Sequence, residues 1–239
     1  HDHRERGVHQ QRDHGLGAGL GFRDLDVVDG DPQRPVVAGT CLPQYRVGQG
    51  TGDVPGLGVA ELPRPGGAGQ FAGGMGPQLS RELFVRHDAV CVLPYDPQRD
   101  SVVLIEQFRV GAMDKSSNPW LLELVAGLID KDEQPEEVAR REAVEEADLE
   151  LTALWPITQY YPSPGGSDER VHLYIGRCDS EGAGGVHGLA EEGEDIRVHV
   201  WPLEDALQAV KDGRIDNAAS IIALQWLALN RAEVRGLWS

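Results

Sequence analysis

Cations are scarce in this chain: 22 Lys and Arg stand against 39 Asp and Glu, for a formal net charge of −17. A protein that grips a nucleic-acid backbone needs a surplus of positive charge, so nucleic acid is not the expected partner. Cysteine is nearly missing as well. Cys41, Cys91 and Cys178 are odd in number and form no CxxC pair, which argues against a disulfide framework or a thiolate zinc site and suits a reducing cytoplasm. No apolar run reaches the roughly 20 residues of a membrane-spanning helix; the longest candidate, Ile221 to Leu229, is broken by Gln225. No secretory apolar region opens the chain either. A soluble cytoplasmic protein without a membrane partner is expected, and 239 residues give room for one domain with a substantial core plus an extension.

Composition divides the chain near residue 72. The first 79 residues hold 18 of the 30 glycines and contain no Ile, Lys or Asn. Apolar spacing there follows neither a strand nor a helix period, and the Gly-rich stretches 15–21 and 48–58 carry turn chemistry with nothing to connect. Residues 1–72 are therefore expected to be atypical, adding no fold. They read either as a segment translated out of frame from a GC-rich gene, in keeping with a chain that begins with His, or as a low-complexity extension. His1, His3, His9 and His14 crowd this end, but without a regular element to hold them they are read as a polar end and not a metal tract.

Residues 73–239 have the texture of a folded domain. Apolar and β-branched runs at 89–93, 102–105, 120–126, 157–161, 171–175 and 196–201 predict strands, separated by turn signals at Pro97, Pro119 and Pro164 to Gly166. Residues 135–147 predict a helix with Pro135 in its first turn and Glu136 and Glu137 where the helix dipole favours them. Two further helices are predicted at 203–211 and 217–231, the second with a stripe of Ile221, Leu224, Leu227 and Ala228. Strands before and after a central helix, without strict alternation, imply an α/β sandwich with a mixed β-sheet.

The chemistry concentrates between Gly127 and Leu149. Glu142, Glu145 and Glu146 stand at i, i+3 and i+4 of the predicted helix, so three like charges share neighbouring parts of one face. By itself such a triplet is most often a solvated acidic face. Here Ala139, Ala143 and Ala147 form a small-residue stripe beside it, which lets the helix approach a sheet and sets the carboxylates at the contact edge. All-oxygen donors in that position suit a hard ion, Mg²⁺ or Mn²⁺. Gly127 marks a sharp turn that frees the Ala126 carbonyl, and Glu133 is placed to pair with Arg141.

These residues resemble the Nudix box, GX5EX7REUXEEXGU with U a bulky apolar residue. Gly127, Glu133, Arg141, Glu142, Glu145, Glu146 and Leu149 match, Ala143 is an accepted variant, and Asp148 replaces the box's last glycine. A left-handed residue is required there, and Asp adopts that conformation at a cost of about 1 kcal/mol. Runs outside the box, among them 81–84, 103–109, 163–169, 191–200 and 216–229, look like the bacterial ADP-ribose pyrophosphatase branch of that family.

The resemblance implies a Nudix α/β/α sandwich and a metal-dependent enzyme cleaving ADP-ribose to AMP and ribose 5-phosphate. It implies metal ligation by the Ala126 carbonyl, Glu142, Glu146 and Glu194, a general base at Glu192, and support from Glu145 and Arg141. Arg81 and Arg109 would contact the pyrophosphate, where a planar fork matches phosphate oxygens. Ser163, Gly165 and Gly166 would offer backbone to the substrate, and Glu169 would lie near the metals. It also implies a homodimer whose N-terminal region supplies aromatic contacts to adenine. Nothing before Phe71 matches that region, so base recognition and dimerisation are expected to be weakened here. A nucleotide sugar such as GDP-mannose is an alternative substrate, since the box grips only diphosphate and metal; a non-catalytic binding module is a third reading. His172, His187 and His199 match no ligand spacing and are read as ordinary strand or loop residues.

Overall fold

The computed structural model describes residues 46–49, 57–61, 80–114, 116, 118–130, 132–189 and 193–238. Strands β1 (Arg46–Gln49), β2 (Leu57–Glu61) and β3 (Ser80–Phe84) form an antiparallel sheet in that order. The first two fall in the segment expected to carry no regular element. They pair through their backbones, Arg46 opposite Glu61 and Gln49 opposite Gly58, and backbone pairing requires no apolar period. The remaining residues before 80, with the histidine-rich end and Cys41, lie outside the described residues.

The main sheet runs β10 (Gly185–His187), β11 (Ile196–Pro202), β5 (Ser101–Phe108), β4 (Ala89–Asp96), β9 (Val171–Arg177), β8 (Ala153–Tyr160). Only β4 and β9 pair in parallel among these neighbours, so the sheet is mixed as expected. β8 occupies one edge and contains Pro156, whose missing N–H coincides with an irregularity in register between Pro156 and Thr158.

The β4–β5 hairpin is closed only at its turn, where Tyr95 faces Val102 and Asp96 faces Ser101. Beyond that the two strands part. The gap is filled by residues 120–128, first as β6 (Trp120–Glu123) against β5 and then as β7 (Val125–Leu128) against β4. One continuous segment thus changes partners inside the sheet, and this wedge is where the site forms.

Alternation along the central strands sends side chains to two cores. Val90, Val92, Val103 and Ile105 meet Val138, Ala139, Ala143 and Ala147 of helix α1 (Pro135–Ala147). Leu93, Tyr95, Val102 and Leu104 meet helices α2 (Leu203–Lys211) and α3 (Ala218–Trp238) on the opposite face. The result is the α/β/α sandwich. α3 is longer than its predicted span, and its buried stripe is Ser220, Ala223, Leu224, Leu227, Val234 and Trp238; Ala228, expected on the stripe, is exposed. Asn217 caps this helix through its Oδ1, which accepts the Ser220 N–H at 3.1 Å, while its Nδ2 donates to the Leu122 carbonyl at 2.7 Å. One side chain therefore ties α3 to β6.

The hairpin turn is built on two carboxylates. Asp96 is buried and accepts from Ser180 N–H and Oγ at 3.0 and 2.8 Å, from the Gln98 and Arg99 N–H groups, and from Arg99 Nη1 at 3.0 Å. Burial works against its charge, but these donors hold the carboxyl well below the ordinary aspartate value. Asp100, at φ 54°, accepts from Tyr95 and Arg231, joining the turn to the C-terminal helix.

Because the folded pKa of Asp96 is depressed, its contribution is present above the unfolded value of 3.8 and is lost as pH falls below it. Asp96→Asn is expected to cost about 2 kcal/mol at pH 7, a deficit that shrinks on acidification below about pH 4. Urea denaturation of both proteins across that range measures it.

Candidate active site

Helix α1 begins with Pro135 after Gln134, whose N–H donates to Glu137 Oε2 at 2.8 Å, and ends at Asp148 in the left-handed conformation, φ 50° and ψ 42°. The Asp148 N–H still reaches the Val144 carbonyl at 3.0 Å and Leu149 N–H the Ala143 carbonyl at 3.0 Å. The replacement of glycine at this cap therefore leaves the helix end intact. The expected stripe of Ala139, Ala143 and Ala147 is fully buried against the sheet.

The approach of α1 to β7 is close enough to dictate the residue on the strand. A Cβ at Gly127 would lie 2.0 Å from Glu142 Oε1 and 2.4 Å from its Cδ. The atoms it would meet all belong to the Glu142 side chain, so a larger residue would displace that carboxyl from its place. The same closeness brings Glu146 to the strand edge left open where β4 and β5 part: its Oε2 accepts the Ala126 N–H at 2.9 Å, and the residue is only 3% exposed. Burial raises the Glu146 carboxyl to about 8; Glu142 and Glu194 push it further up, and the Ala126 N–H pulls it down. Burial also raises Glu142, opposed by Arg141 and reinforced by Glu145 and Glu194.

Arg141 organises the remaining acids. Its Nη1 donates to Glu142 Oε1 at 2.8 Å and Glu145 Oε2 at 2.9 Å, and Nη2 to Glu133 Oε2 at 3.3 Å. The anticipated loop-to-helix bridge to Glu133 is present, with two further partners the sequence did not indicate. Burial disfavours the guanidinium charge, but the surrounding carboxylates hold it firmly protonated.

Glu194 stands in the loop between β10 and β11. Its Oε2 accepts the Leu189 N–H at 3.0 Å and its own N–H reaches the Leu189 carbonyl at 3.2 Å. Gly188, at φ 100°, makes this tight turn, since a Cβ there would meet Glu194 Cβ at 2.7 Å. Glu192 lies outside the described residues, as does the Arg81 side chain. Among the described residues no group of three or more His, Cys, Asp or Glu is gathered closely enough to hold a metal ion. The expected ligands Glu142, Glu146 and Glu194 are thus neighbours by their mutual electrostatic influence without forming a closed cage, and Glu142 is turned to Arg141.

Arg109 follows β5 and donates through Nε to Glu123 Oε2 at 2.7 Å. Its charge is felt by Glu146, which places it on the wall facing the carboxylates. Glu123 was missed by sequence reasoning, although an acidic residue inside the run WLLELVAG was a visible signal. Ser163 lies in an exposed turn whose carbonyl accepts the Gly166 and Ser167 N–H groups, and Gly165 and Gly166 have open space where a Cβ would stand. That turn is joined to the end of β3 by Phe84 N–H to the Gly166 carbonyl at 2.8 Å, and Arg86 N–H just beyond it reaches Asp168 at 2.9 Å. Glu169 pairs with Arg86 at 3.4 Å. His172 contacts Asp88, His187 the Gly184 carbonyl and His199 Glu106, all apart from the box. Burial pushes the thiols of Cys91 and Cys178 up to about 12, so neither is a nucleophile at neutral pH.

A GDP-mannose pyrophosphatase from Cronobacter sakazakii is 38% identical over 150 residues, covering 62% of this chain and 78% of its own. An ADP-ribose pyrophosphatase from Escherichia coli is 52% identical over 169 residues, covering 71% of this chain and 81% of its own, and one from Haemophilus influenzae is 48% identical over 171 residues, covering 70% and 79%. A solved structure described as an ADP compounds hydrolase superposes with a TM-score of 0.59 at 20% identity, over 81% of this chain and 96% of that one, which speaks for the fold. The NUDIX domain model matches residues 85–226; with the box glutamates seated on α1 against β7, the chain belongs to the NUDIX family.

Proposed function

We propose that this chain is a divalent-metal-dependent pyrophosphohydrolase that cleaves ADP-ribose to AMP and ribose 5-phosphate. The observation that carries the chemistry is the buried Glu146 carboxyl, which among the described residues has one N–H donor and no ion-pair partner. A buried carboxylate so poorly compensated fits a hard cation bound through oxygen. The Ala126 carbonyl, Glu142, Glu146 and Glu194 are the residues proposed to hold it, Mg²⁺ or Mn²⁺ by the nature of the donors. When bound, such an ion would neutralise charge on the diphosphate and lower the pKa of a water. The choice of ADP-ribose rests on the relatives of that name at 52% and 48% identity, above the 38% of the GDP-mannose enzyme.

Each residue has a proposed part. Arg141 keeps Glu133, Glu142 and Glu145 at the helix–loop junction and yields Glu142 when a cation competes for it. Arg109 and Arg81 bind diphosphate oxygens, and the Ser163, Gly165 and Gly166 turn lies against the substrate. Glu192 takes the proton of the attacking water, which adds to phosphorus as the bridging P–O bond breaks. The catalytic unit is proposed to span residues 73–239, which encloses the matched 85–226. A homodimer is proposed from the family resemblance, and the buried free thiols support a reducing, cytoplasmic setting. No helix of the described residues is long and apolar enough to cross a membrane.

Turnover of ADP-ribose, GDP-mannose and other nucleoside diphosphate derivatives, with and without Mg²⁺, tests the assignment. Metal-dependent release of AMP and ribose 5-phosphate, with GDP-mannose slower, is expected; preference for GDP-mannose would transfer the activity to nucleotide sugars. Glu146→Gln and Glu142→Gln should each lower kcat by about 100-fold or more, as loss of a charged ligand does, with the fold intact by circular dichroism.

A second prediction needs no turnover. Glu146 keeps its proton in the folded chain up to about pH 8, whereas in the unfolded chain it releases it near 4.5. Between those values the folded state binds more protons, so stability falls as pH rises through that window. In EDTA the melting temperature should decline from pH 5 to pH 8. Mg²⁺ should restore it most at the alkaline end, and Glu146→Gln should flatten the slope. A metal-free protein equally stable at both ends would contradict this account of the site.

A further inference from the structure

Arg109, just past β5, and Glu123, the last residue of β6, meet at 2.7 Å across the strand pair. Glu123 is the better buried of the two, 15% exposed at its side chain against 45% for Arg109. Ile105 faces Glu123 and Gln107 faces Leu121, so Gln107 lies between the two partners on the same face of the ladder. It is buried, and its Nε2 donates to neither. Among the described residues the Glu123 carboxylate has no hydrogen-bond partner besides Arg109. Where Glu123 stands therefore depends on what holds β6.

Among the described residues β6 pairs with β5 alone, and just after Glu123 the chain leaves β5 for β4. At that point the Leu122 carbonyl accepts Asn217 Nδ2 at 2.7 Å. Asn217 is itself fixed: its Oδ1 accepts the Ser220 N–H at 3.1 Å as the cap of α3, and its carbonyl accepts the Ile221 N–H at 3.1 Å. The helix is seated in the core through Ala223, Leu224 and Leu227. An amide divides the two tasks between two atoms, an acceptor for the helix and a donor for the strand. Leu122 packs against the core that α3 shares, while Glu123, next along the strand, turns to the α1 face. The start of α3 lies close behind the pair, since Asp216, the residue before Asn217, acts on Glu123. Burial raises the Glu123 carboxyl, Arg109 lowers it and Asp216 raises it.

We propose that Asn217 is a positioning residue for the reaction: its Nδ2, on the Leu122 carbonyl, fixes the β6 backbone where Glu123 can hold Arg109 by its Nε, and so sets the guanidinium that meets the diphosphate. The last step of this inference rests on the pyrophosphohydrolase reading; the hold on Arg109 does not. A guanidinium held by its Nε presents the rest of its fork already ordered, and a slack β6 would return that ordering cost to substrate binding. Asn217 reaches β6 from the α3 side, so it acts on the substrate wall without touching substrate.

Asn217→Ser separates the two tasks. Serine caps a helix about as well as asparagine, but its hydroxyl is too short to reach the Leu122 carbonyl as well. Asn217→Ala loses both. Three readings are taken on the full chain: melting temperature, hydrogen exchange of the Arg109 Nε–H by NMR without metal or substrate, and steady-state kinetics with ADP-ribose in Mg²⁺. Asn217→Ser should lower the melting temperature by at most about 4 °C, as one lost neutral hydrogen bond does in a domain of this size, and Asn217→Ala by more. The serine variant should nevertheless exchange the Nε–H about tenfold faster and lose about fivefold in kcat/KM, mostly through KM. The kinetic effect should fall below about twofold once Arg109 is Ala. A residue that only capped α3 would leave Asn217→Ser like the unmodified chain in exchange and kinetics, with Asn217→Ala alone impaired, and that result overturns the proposal. So does a full Asn217→Ser effect on kcat/KM in the absence of Arg109. If exchange quickens in Asn217→Ser while the unmodified chain turns over no ADP-ribose, the hold on Arg109 stands and the substrate assignment falls.

Discussion

Everything in the site depends on how closely α1 lies on β7. At Gly127 the strand leaves the room that the Glu142 carboxyl occupies, and a side chain there would displace it. The buried alanines at 139, 143 and 147 extend the approach along the helix, because methyl groups alone separate it from the sheet. Once the helix is that near, Glu146 cannot reach bulk water and settles on the Ala126 N–H. The desolvated carboxylate is a consequence of packing, and its chemistry follows from the packing.

Two buried carboxylates in this chain show how far environment outweighs residue type. Asp96 is as little exposed as Glu146, but with less protein packed around it, and it receives donors from Ser180, Gln98 and Arg99 that hold it ionised. Glu146 receives one N–H and faces Glu142 and Glu194, so burial prevails and its proton is retained. The first arrangement is a closed structural joint at the hairpin turn. The second is an open one, a carboxyl that keeps its proton until a cation arrives to stabilise its charge. Arg141 lies between these cases: it satisfies Glu133 and Glu145 while holding Glu142 in a pairing that a stronger cation can displace.

Chemistry and specificity occupy different parts of the fold. In the proposed function the box, on α1 and β7, deals with diphosphate and metal. On that reading, what distinguishes substrates comes from the surrounding strands and loops, such as the β5–β6 ladder with Arg109 and Glu123, and the turn at 163–166 joined to the end of β3. The wedge opened by the partner change at residues 120–128 brings these regions to the same end of the sheet.

Much of this was legible in the chain itself. The spacing of Glu133, Arg141, Glu142, Glu145 and Glu146 specifies a bridge and a helical carboxylate face, because a helix repeats at 3.6 residues and places i, i+3 and i+4 together whatever surrounds it; Gly127, expected at a sharp turn, lies instead within β7, paired with Val90. The six apolar runs and three helices follow from the same local periodicities. Less was legible where a strand shows no apolar period, as for β1, β2 and β10, or where the pattern is even-handed, as on α3, whose buried stripe includes Ser220 and omits Ala228. Tertiary structure alone decided that β4 and β5 part, that Glu123 rather than solvent meets Arg109, that Gln107 is covered with its amide unpaired, and that Glu142 turns to Arg141 instead of completing a cage. Those outcomes depend on contacts between residues distant in the chain and on how much water each group loses, and neither quantity is encoded in the spacing of residues along it.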